Sequence, residues 1–399
     1  ENYLGRAGIE LGENWRVSGG GGYSFILGYN PGPEGENWAR DREAFETIQR
    51  SADISLDNEH GKFSGKLMFF ADSGHNRFLE TAAPMGAPMP GSYNTYDNYG
   101  IRIFQDIKVF EGNETRVGFD WQRFSGTFEN FPPMPAMKKN MEFEEHDAAP
   151  YAVIKQKTGN VSVSAGIRYM FNNEWGGAFL PEFGVKAGIF ERLGLFANFS
   201  TGYKTPAAGS LVFSDYEDLV PEDYRQYEAG LFSEKEGKYK ITLSFYQIEG
   251  ANIYRTDPID GKIKSTGAIM MRGVEAEAYM NMGDNVRVGI SGSYADPREK
   301  TFAHSFIKGS AYIEADIFEK ITVRAETQTA RDRFDSDNRE NPLEDITVFN
   351  LGISKAEKGK GYERRMYVDI ENLFDSKYEI TEGYPVPGIF IKAGMDIKL

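Results

Sequence analysis

The sequence predicts an all-β protein: one large antiparallel transmembrane β-barrel of about 20–22 strands. Three observations predict it. First, the C-terminal stretch alternates: Ile389, Ile391, Ala393, Met395, Ile397 and Leu399 fall on one face, and Phe390, Lys392, Gly394, Asp396 and Lys398 on the other. A period of two is a strand with one apolar and one polar face. Second, that pattern recurs along nearly all 399 residues with no helical stretch between. Third, no apolar run approaches the roughly 20 residues of a membrane helix, yet 14% of residues are aromatic and 44 are Gly. Aromatic girdles and strand curvature use both.

Other classes are excluded on composition. The net charge of −15 argues against a nucleic-acid partner, because phosphates need a basic face. Without Cys there are no disulfides and no thiol chemistry.

About nineteen segments read as strands. Phe183, Val185, Ala187 and Ile189 alternate with Gly184, Lys186 and Gly188. Leu195, Ala197, Phe199, Thr201 and Tyr203 alternate with Phe196, Asn198, Ser200 and Gly202. Val274, Ala276, Ala278 and Met280 alternate with Gly273, Glu275, Glu277 and Tyr279. Ile307, Gly309, Ala311, Ile313, Ala315 and Ile317 alternate with Lys308, Ser310, Tyr312, Glu314 and Asp316. Charges keep to one face, as a watered lumen allows and lipid does not.

The connections alternate between short and long. Short ones are expected at Asp57–Gly61, Glu111–Glu114, Thr158–Asn160, Glu191–Arg192, Glu234–Lys238, Gly283–Asn285, Phe318–Lys320 and Ala356–Gly361. Long ones are expected at Asn30–Glu43, Ser73–Asn94, Ser125–Asp147, Thr205–Asp223, Ala295–Phe302 and Arg331–Leu343. Short turns belong to the periplasmic side and long loops to the exterior. With nineteen strands, the first and last both run downward. An even barrel then needs at least one further strand upstream of Glu1.

From about residue 200 the sequence resembles the TonB-dependent outer-membrane receptors. Five segments carry the resemblance, in order: Gly202-Tyr203-Lys204-Thr205-Pro206; Leu219-Val220-Pro221-Glu222 followed by Tyr227-Glu228-Ala229-Gly230; Arg272-Gly273-Val274-Glu275; Asn372-Leu373-Phe374-Asp375-Ser376-Lys377-Tyr378; and Gly383-Tyr384-Pro385-Val386-Pro387-Gly388. The resemblance implies a barrel of about 22 strands filled by an N-terminal plug. Residues 1–399 then form the barrel domain, with plug and first strand expected upstream. It also implies energy-coupled uptake of a scarce, bulky ligand, a ferric siderophore first and cobalamin second. The TonB complex would be reached through the plug, and outer-membrane lipid or lipopolysaccharide would surround the barrel. No cofactor and no enzymatic activity are expected. The family usually ends on an aromatic residue; this chain ends on Leu399.

Candidate ligand contacts come from the predicted outer loops. Phe78, Met85, Met89, Tyr93, Phe131, Met134, Met137 and Trp175 offer the adaptable apolar surface that an organic or metal-chelate ligand needs. The Met- and Pro-rich stretches also permit a soft-metal reading. His75, His146 and His304 permit a haem-ligand reading, while His60 is placed in a short turn. Asp215, Glu217 and Asp218 permit a calcium reading against a default of solvated loop. Gly19-Gly20-Gly21-Gly22 lacks the Lys and Ser/Thr of a phosphate loop and reads as strand curvature or room for a plug. Rival readings are a passive porin without a plug and a structural barrel filled by a partner chain.

Overall fold

The computed structural model describes residues 1–30, 43–78, 91–130, 139–207, 211, 214, 219–257, 262–297, 305–318, 320–334 and 342–398. Its strands are β1 (Asn2–Glu10), β2 (Trp15–Asn30), β3 (Glu43–His60), β4 (Phe63–Phe78), β5 (Ser92–Ile107), β6 (Asn113–Asn130), β7 (Lys139–Thr158) and β8 (Val161–Asn172). They continue as β9 (Gly176–Gly188), β10 (Leu193–Lys204), β11 (Glu222–Lys235), β12 (Tyr239–Thr256), β13 (Ile263–Met282), β14 (Val286–Pro297), β15 (Ser305–Ile317) and β16 (Ile321–Phe334). The last are β17 (Pro342–Leu343), β18 (Ile346–Gly359), β19 (Tyr362–Glu371), β20 (Glu379–Thr381), β21 (Tyr384–Pro385) and β22 (Phe390–Lys398). Twenty belong to one sheet; β20 and β21 form a small hairpin. The nineteen expected strands correspond to the long ones, since β17, β20 and β21 have three residues or fewer.

The chain divides into two compact units. The first comprises Glu1–Val185, Phe199–Arg225 and Gly250–Ala268. Within it β1 to β8 pair neighbour to neighbour, all antiparallel. One face is apolar and open: Ile103 stands opposite Phe119, Ala152 opposite Ile167, and Ile103, Phe119 and Ile167 are exposed. The other face is polar. Arg116 Nε reaches Asp106 at 2.7 Å, Arg168 Nη1 reaches Asp120 at 2.9 Å, and Gln122 Nε2 donates to Asp147 at 2.9 Å. Among the described residues only Ala149, Leu211, Leu219, Ile253 and Ala295 are buried hydrophobics. A water-soluble protein buries its large apolar side chains; here they are turned outward, as lipid requires.

The hairpins of the first unit extend farther than the sequence suggests. Pairing of β3 with β4 continues to Phe45 opposite Phe78, and of β6 with β7 to Asn130 opposite Lys139. Within the expected loops Ser73–Asn94 and Ser125–Asp147, residues 73–78, 92–94, 125–130 and 139–147 are therefore strand. These strands have 16 to 20 residues, where about 9–11 cross a membrane. Beyond the lipid both faces meet water, so the alternation that betrays a strand disappears although the ladder persists. Tyr99, Trp121 and His146 cluster on the apolar face where it nears the extensions, with ring centroids 5.9 and 6.1 Å apart. His60 is not in a turn: it ends β3, edge-on to Trp15 at 5.4 Å. The turn after it uses Gly61 at φ +58°, a left-handed conformation that favours glycine.

The glycine run has a specific use. Gly20 and Gly21 in β2 lie opposite Arg6 and Gly5 in β1. A Cβ on Gly20 would come within 3.1 Å of Arg6 Nε and 3.2 Å of Asp53 Oδ1. The bare backbone lets Arg6 cross β2 and grip Asp53 of β3 at 2.7 Å through both carboxylate oxygens.

The second unit comprises Lys186–Asn198, Gln226–Glu249 and Ile269–Leu399. Here β13 to β16, β18, β19 and β22 pair in sequence, with β17 against the end of β16. Ile290, Ile313, Ile353, Val368 and Ile391 are exposed on the apolar face. On the polar face Arg287 contacts Glu314 at 2.6 Å and Asp316 at 3.1 Å, and Lys392 contacts Glu371.

Candidate functional site

In the first unit, β10 ends on Lys204 and β11 starts on Glu222. Both lie at the ends away from the short turns, beyond the span that crosses lipid. The Glu222 side chain is 4% exposed. It accepts from Lys204 Nζ at 3.0 Å, Tyr224 hydroxyl at 2.8 Å and the Tyr254 backbone N–H at 3.0 Å. Burial works against its charge, but these three donors outweigh burial and hold its pKa below the ordinary carboxylate value. The Tyr254 hydroxyl donates to Val220 O at 3.1 Å, and Asn252, at φ +59°, donates to Pro221 O at 3.2 Å. Leu219 and Pro206 are buried beside it. The motif residues Pro221 and Glu222 thus belong to a brace that ties the chain after β10 to β12, with three donors on its carboxylate.

A second rim network touches the first. Asn172 is fully buried at the end of β8. Its side-chain oxygen accepts the backbone N–H groups of Glu174 at 2.8 Å and Trp175 at 2.9 Å, a side-chain-capped turn. Its amide donates to Asp147 at 2.8 Å and Glu145 at 3.2 Å. Burial raises the Glu145 pKa, and the nearby Asp147 adds to it. The expected ligand residue Trp175 sits in this three-residue turn, its indole N–H donating to Glu145 at 3.3 Å and its carbonyl accepting from Tyr203 at 3.2 Å. Its ring is a fixed wall rather than a free arm.

Phe78 and Tyr93 are separated by the sheet. Tyr93 is opposite Arg77, so it shares the face of His75, 5.5 Å away between ring centroids, whereas Phe78 points to the other face. His75 meets Glu46 at 3.0 Å and His146 meets Glu144 at 3.0 Å. Met85, Met89, Phe131, Met134 and Met137, with His304, Asp215, Glu217 and Asp218, lie outside the described residues. Among the described residues no three metal-ligating side chains converge.

In the second unit the remaining motifs become geometrical. Asn372 and Asp375 both have positive φ, 51° and 55°. Asn372 exchanges two hydrogen bonds with Ser376, at 2.9 and 2.8 Å, and its N–H donates to Asn350 at 3.0 Å. The Leu373 N–H donates to Phe349 O at 2.8 Å, continuing the ladder one step past β19. Phe374 packs edge-on to Phe349 at 5.1 Å. Gly388 is needed because a Cβ there would stand 2.1 Å from the Asp375 carboxylate. Gly273 is needed because a Cβ would stand 2.4 Å from the Tyr246 ring. Glu228 accepts from Asn198 at 3.2 Å. One residue the sequence reading missed is Arg333, 6% exposed, which donates to the carbonyls of Glu344 at 2.8 Å and Glu379 at 2.6 Å. A lone Arg at a strand end carries no sequence signal for that role.

The polar face of this unit forms a trough of about 770 Å³ lined by Glu228, Glu275, Glu277, Lys308, Glu326 and Tyr378. Its floor is small, with Ser291 and Ser310 hydroxyls 2.8 Å apart. It offers carboxylates and hydroxyls to a basic or polyhydroxyl surface.

An outward apolar face, an inner polar face and a braced rim define a β-barrel of the outer-membrane type. The chain belongs to the family described as "TonB dependent receptor-like, beta-barrel", whose model matches residues 4–373. It is 25% identical over 320 residues to the vitamin B12 transporter BtuB of Vibrio cholerae, covering 74% of this chain and 49% of that one. It is 28% identical over 144 residues to the ferrioxamine B receptor of Salmonella typhimurium, covering 35% and 17%. The chain thus spans about half the length, or less, of these curated relatives. In fold it resembles the ferric enterobactin receptor PfeA of Pseudomonas aeruginosa, with a TM-score of 0.80, 11% identity, and 99% of this chain and 68% of that one covered. The ferric preacinetobactin receptor BauA of Acinetobacter baumannii gives 0.74 and 14%, with 100% and 72% covered.

Proposed function

We propose that this chain is the barrel of an outer-membrane receptor that takes up a scarce, bulky ligand, a ferric siderophore first and cobalamin second. The family match over residues 4–373 carries the reading. The relatives named for vitamin B12 and ferrioxamine B support these two ligand classes. The barrel supplies a wall and a rim rather than a catalyst: the Glu222 carboxylate is held by three donors of the brace, and the trough carboxylates line the polar face. Those carboxylates suit the basic groups of a plug, through which the TonB complex would act.

Ligand contact is assigned to the rim. Phe78 shares the polar face with Asp72 and Asn76, and Trp175 presents a fixed ring. Tyr93 and the residues Met85, Met89, Phe131, Met134 and Met137 complete the set proposed from the sequence.

The test is uptake of labelled ferric siderophores and labelled cobalamin by cells whose sole receptor is the full protein, with and without TonB. TonB-dependent uptake of either class supports the reading. Uptake unchanged without TonB would leave a passive channel.

A further inference from the structure

Tyr96, Phe124 and Phe143 form a ring cluster on the polar face of the first unit, towards the outer ends of β5, β6 and β7. The Phe124 centroid lies 6.4 Å from that of Tyr96 and 5.2 Å from that of Phe143, with the rings tilted by 35° and 44°. The register shows how they fit. Tyr96 pairs with Gly74 on one side and Gly126 on the other, and Gly126 pairs with Phe143. A Cβ on Gly74 would stand 2.9 Å from the Tyr96 ring, and one on Gly126 3.0 Å from the Phe143 ring. The glycines let these rings lie down across neighbouring strands, where all three stay half-buried.

Deeper on the same face the rings are capped by cations. Arg102 lies over Phe70 at 4.9 Å, Arg116 over Phe104 at 4.1 Å and Arg168 over Tyr151 at 5.3 Å. A ring face is electronegative and attracts a guanidinium or an ammonium. Among the described residues no cation lies over Tyr96, Phe124 or Phe143. Their neighbours are acidic instead. Glu145 is opposite Phe124, Asp147 is opposite Gln122, and Asp72 is opposite Asn98, which itself pairs with Phe124. Amides hold these carboxylates: Asn98 donates to Asp72 at 2.9 Å, Gln122 to Asp147 at 2.9 Å and Asn172 to Glu145 at 3.2 Å. Among the described residues none of the three has a salt-bridge partner. Along β4 to β7 the nearest Lys or Arg positions of this face are Lys139 and Arg102. They stand four residues from Phe143 and from Asn98, about 13 Å along the strand in each case.

We propose that this cluster sets the charge of the ligand. A metal chelate that carries an ammonium or guanidinium group places it over Phe124, between Tyr96 and Phe143 and beside Asp72 and Asp147. A polyanionic chelate meets the carboxylates with no cation on the platform and is turned away. The proposal rests on the receptor reading and narrows it from ferric chelates in general to cationic ones.

The test is equilibrium binding to the full receptor, purified in detergent, with matched probes. Ferrioxamine B carries a free ammonium, the same chelate with that amine acetylated is uncharged, and ferric enterobactin is polyanionic. Ferrioxamine B should bind about tenfold tighter than its acetylated form. Phe124→Leu keeps the bulk and removes the ring face, and Asp72→Asn removes a charge; each should shrink that ratio about threefold. Equal binding of the two forms, a ratio unmoved by either variant, or tighter binding of ferric enterobactin overturns the charge selection. So does a receptor that binds none of the probes. TonB-dependent uptake of ferric enterobactin would leave the receptor reading standing and the charge selection overturned. Uptake of ferrioxamine B equal with and without TonB, at an unchanged binding ratio, would do the reverse. Heat-shifted gel mobility reports assembly, and should Phe124→Leu fail to assemble, Asp72→Asn decides alone.

Discussion

Glu222 and Glu145 are rim carboxylates pushed in opposite directions. The Glu222 pKa is lowered, so its bonds stabilise the folded state above the ordinary value near ~4.3 and are lost as pH falls through the lowered one. The Glu145 pKa is raised by burial, so its ionised form opposes folding and stability is gained as pH falls through the raised value. Glu222→Gln should therefore cost about 1–3 kcal/mol at pH 7 by leaving a buried donor unmet. The difference from wild type should shrink as pH falls through the lowered value, below ~4 and towards ~3. Thermal unfolding at both pH values checks this; an equal difference at both would assign the effect to shape, not charge. Gly273→Ala drives a methyl into the Tyr246 ring and should cost about 1–3 kcal/mol, read as a lower urea midpoint. An unchanged midpoint would show that the ring moves aside freely. Such motif positions were legible as a resemblance but not as physics. Gly388 has a reason only once Asp375 is folded back against it, and Leu373 only once its N–H is seen on Phe349.

At the level of the strand, the lipid-crossing parts were plain in the sequence because one face must be apolar there. The extensions were not. Thr127 and Val117 lie on the same strand and face, yet only Val117 belongs to the apolar stretch. The chain has no Cys, so single cysteines at the two positions label against a silent background. In whole cells a membrane-impermeant maleimide should modify Thr127→Cys readily and Val117→Cys hardly at all. Equal labelling would mean that the lipid boundary has been drawn at the wrong depth. The buried network of Asn172, Glu145 and Asp147 escaped the sequence reading for a related reason: asparagine before a turn is common, and nothing local tells which one is sealed.

For the whole receptor, the rim residues separate into kinds. Phe78→Ala should weaken uptake without loss of assembled protein, because its face meets the lumen. Trp175→Ala should weaken uptake and also loosen the turn held by Asn172, seen as faster exchange of the Glu174 amide and of the amide at position 175. Uptake unchanged in both would remove them from the ligand site. The long outer hairpins have one more consequence, immunological in kind. The hydroxyls of Thr95 and Thr127 touch at 2.8 Å although 32 residues separate them along the chain. A surface woven this way presents discontinuous epitopes: antibodies raised against the folded receptor would recognise neighbouring strands together, and synthetic peptides copied from any one strand would make poor vaccines.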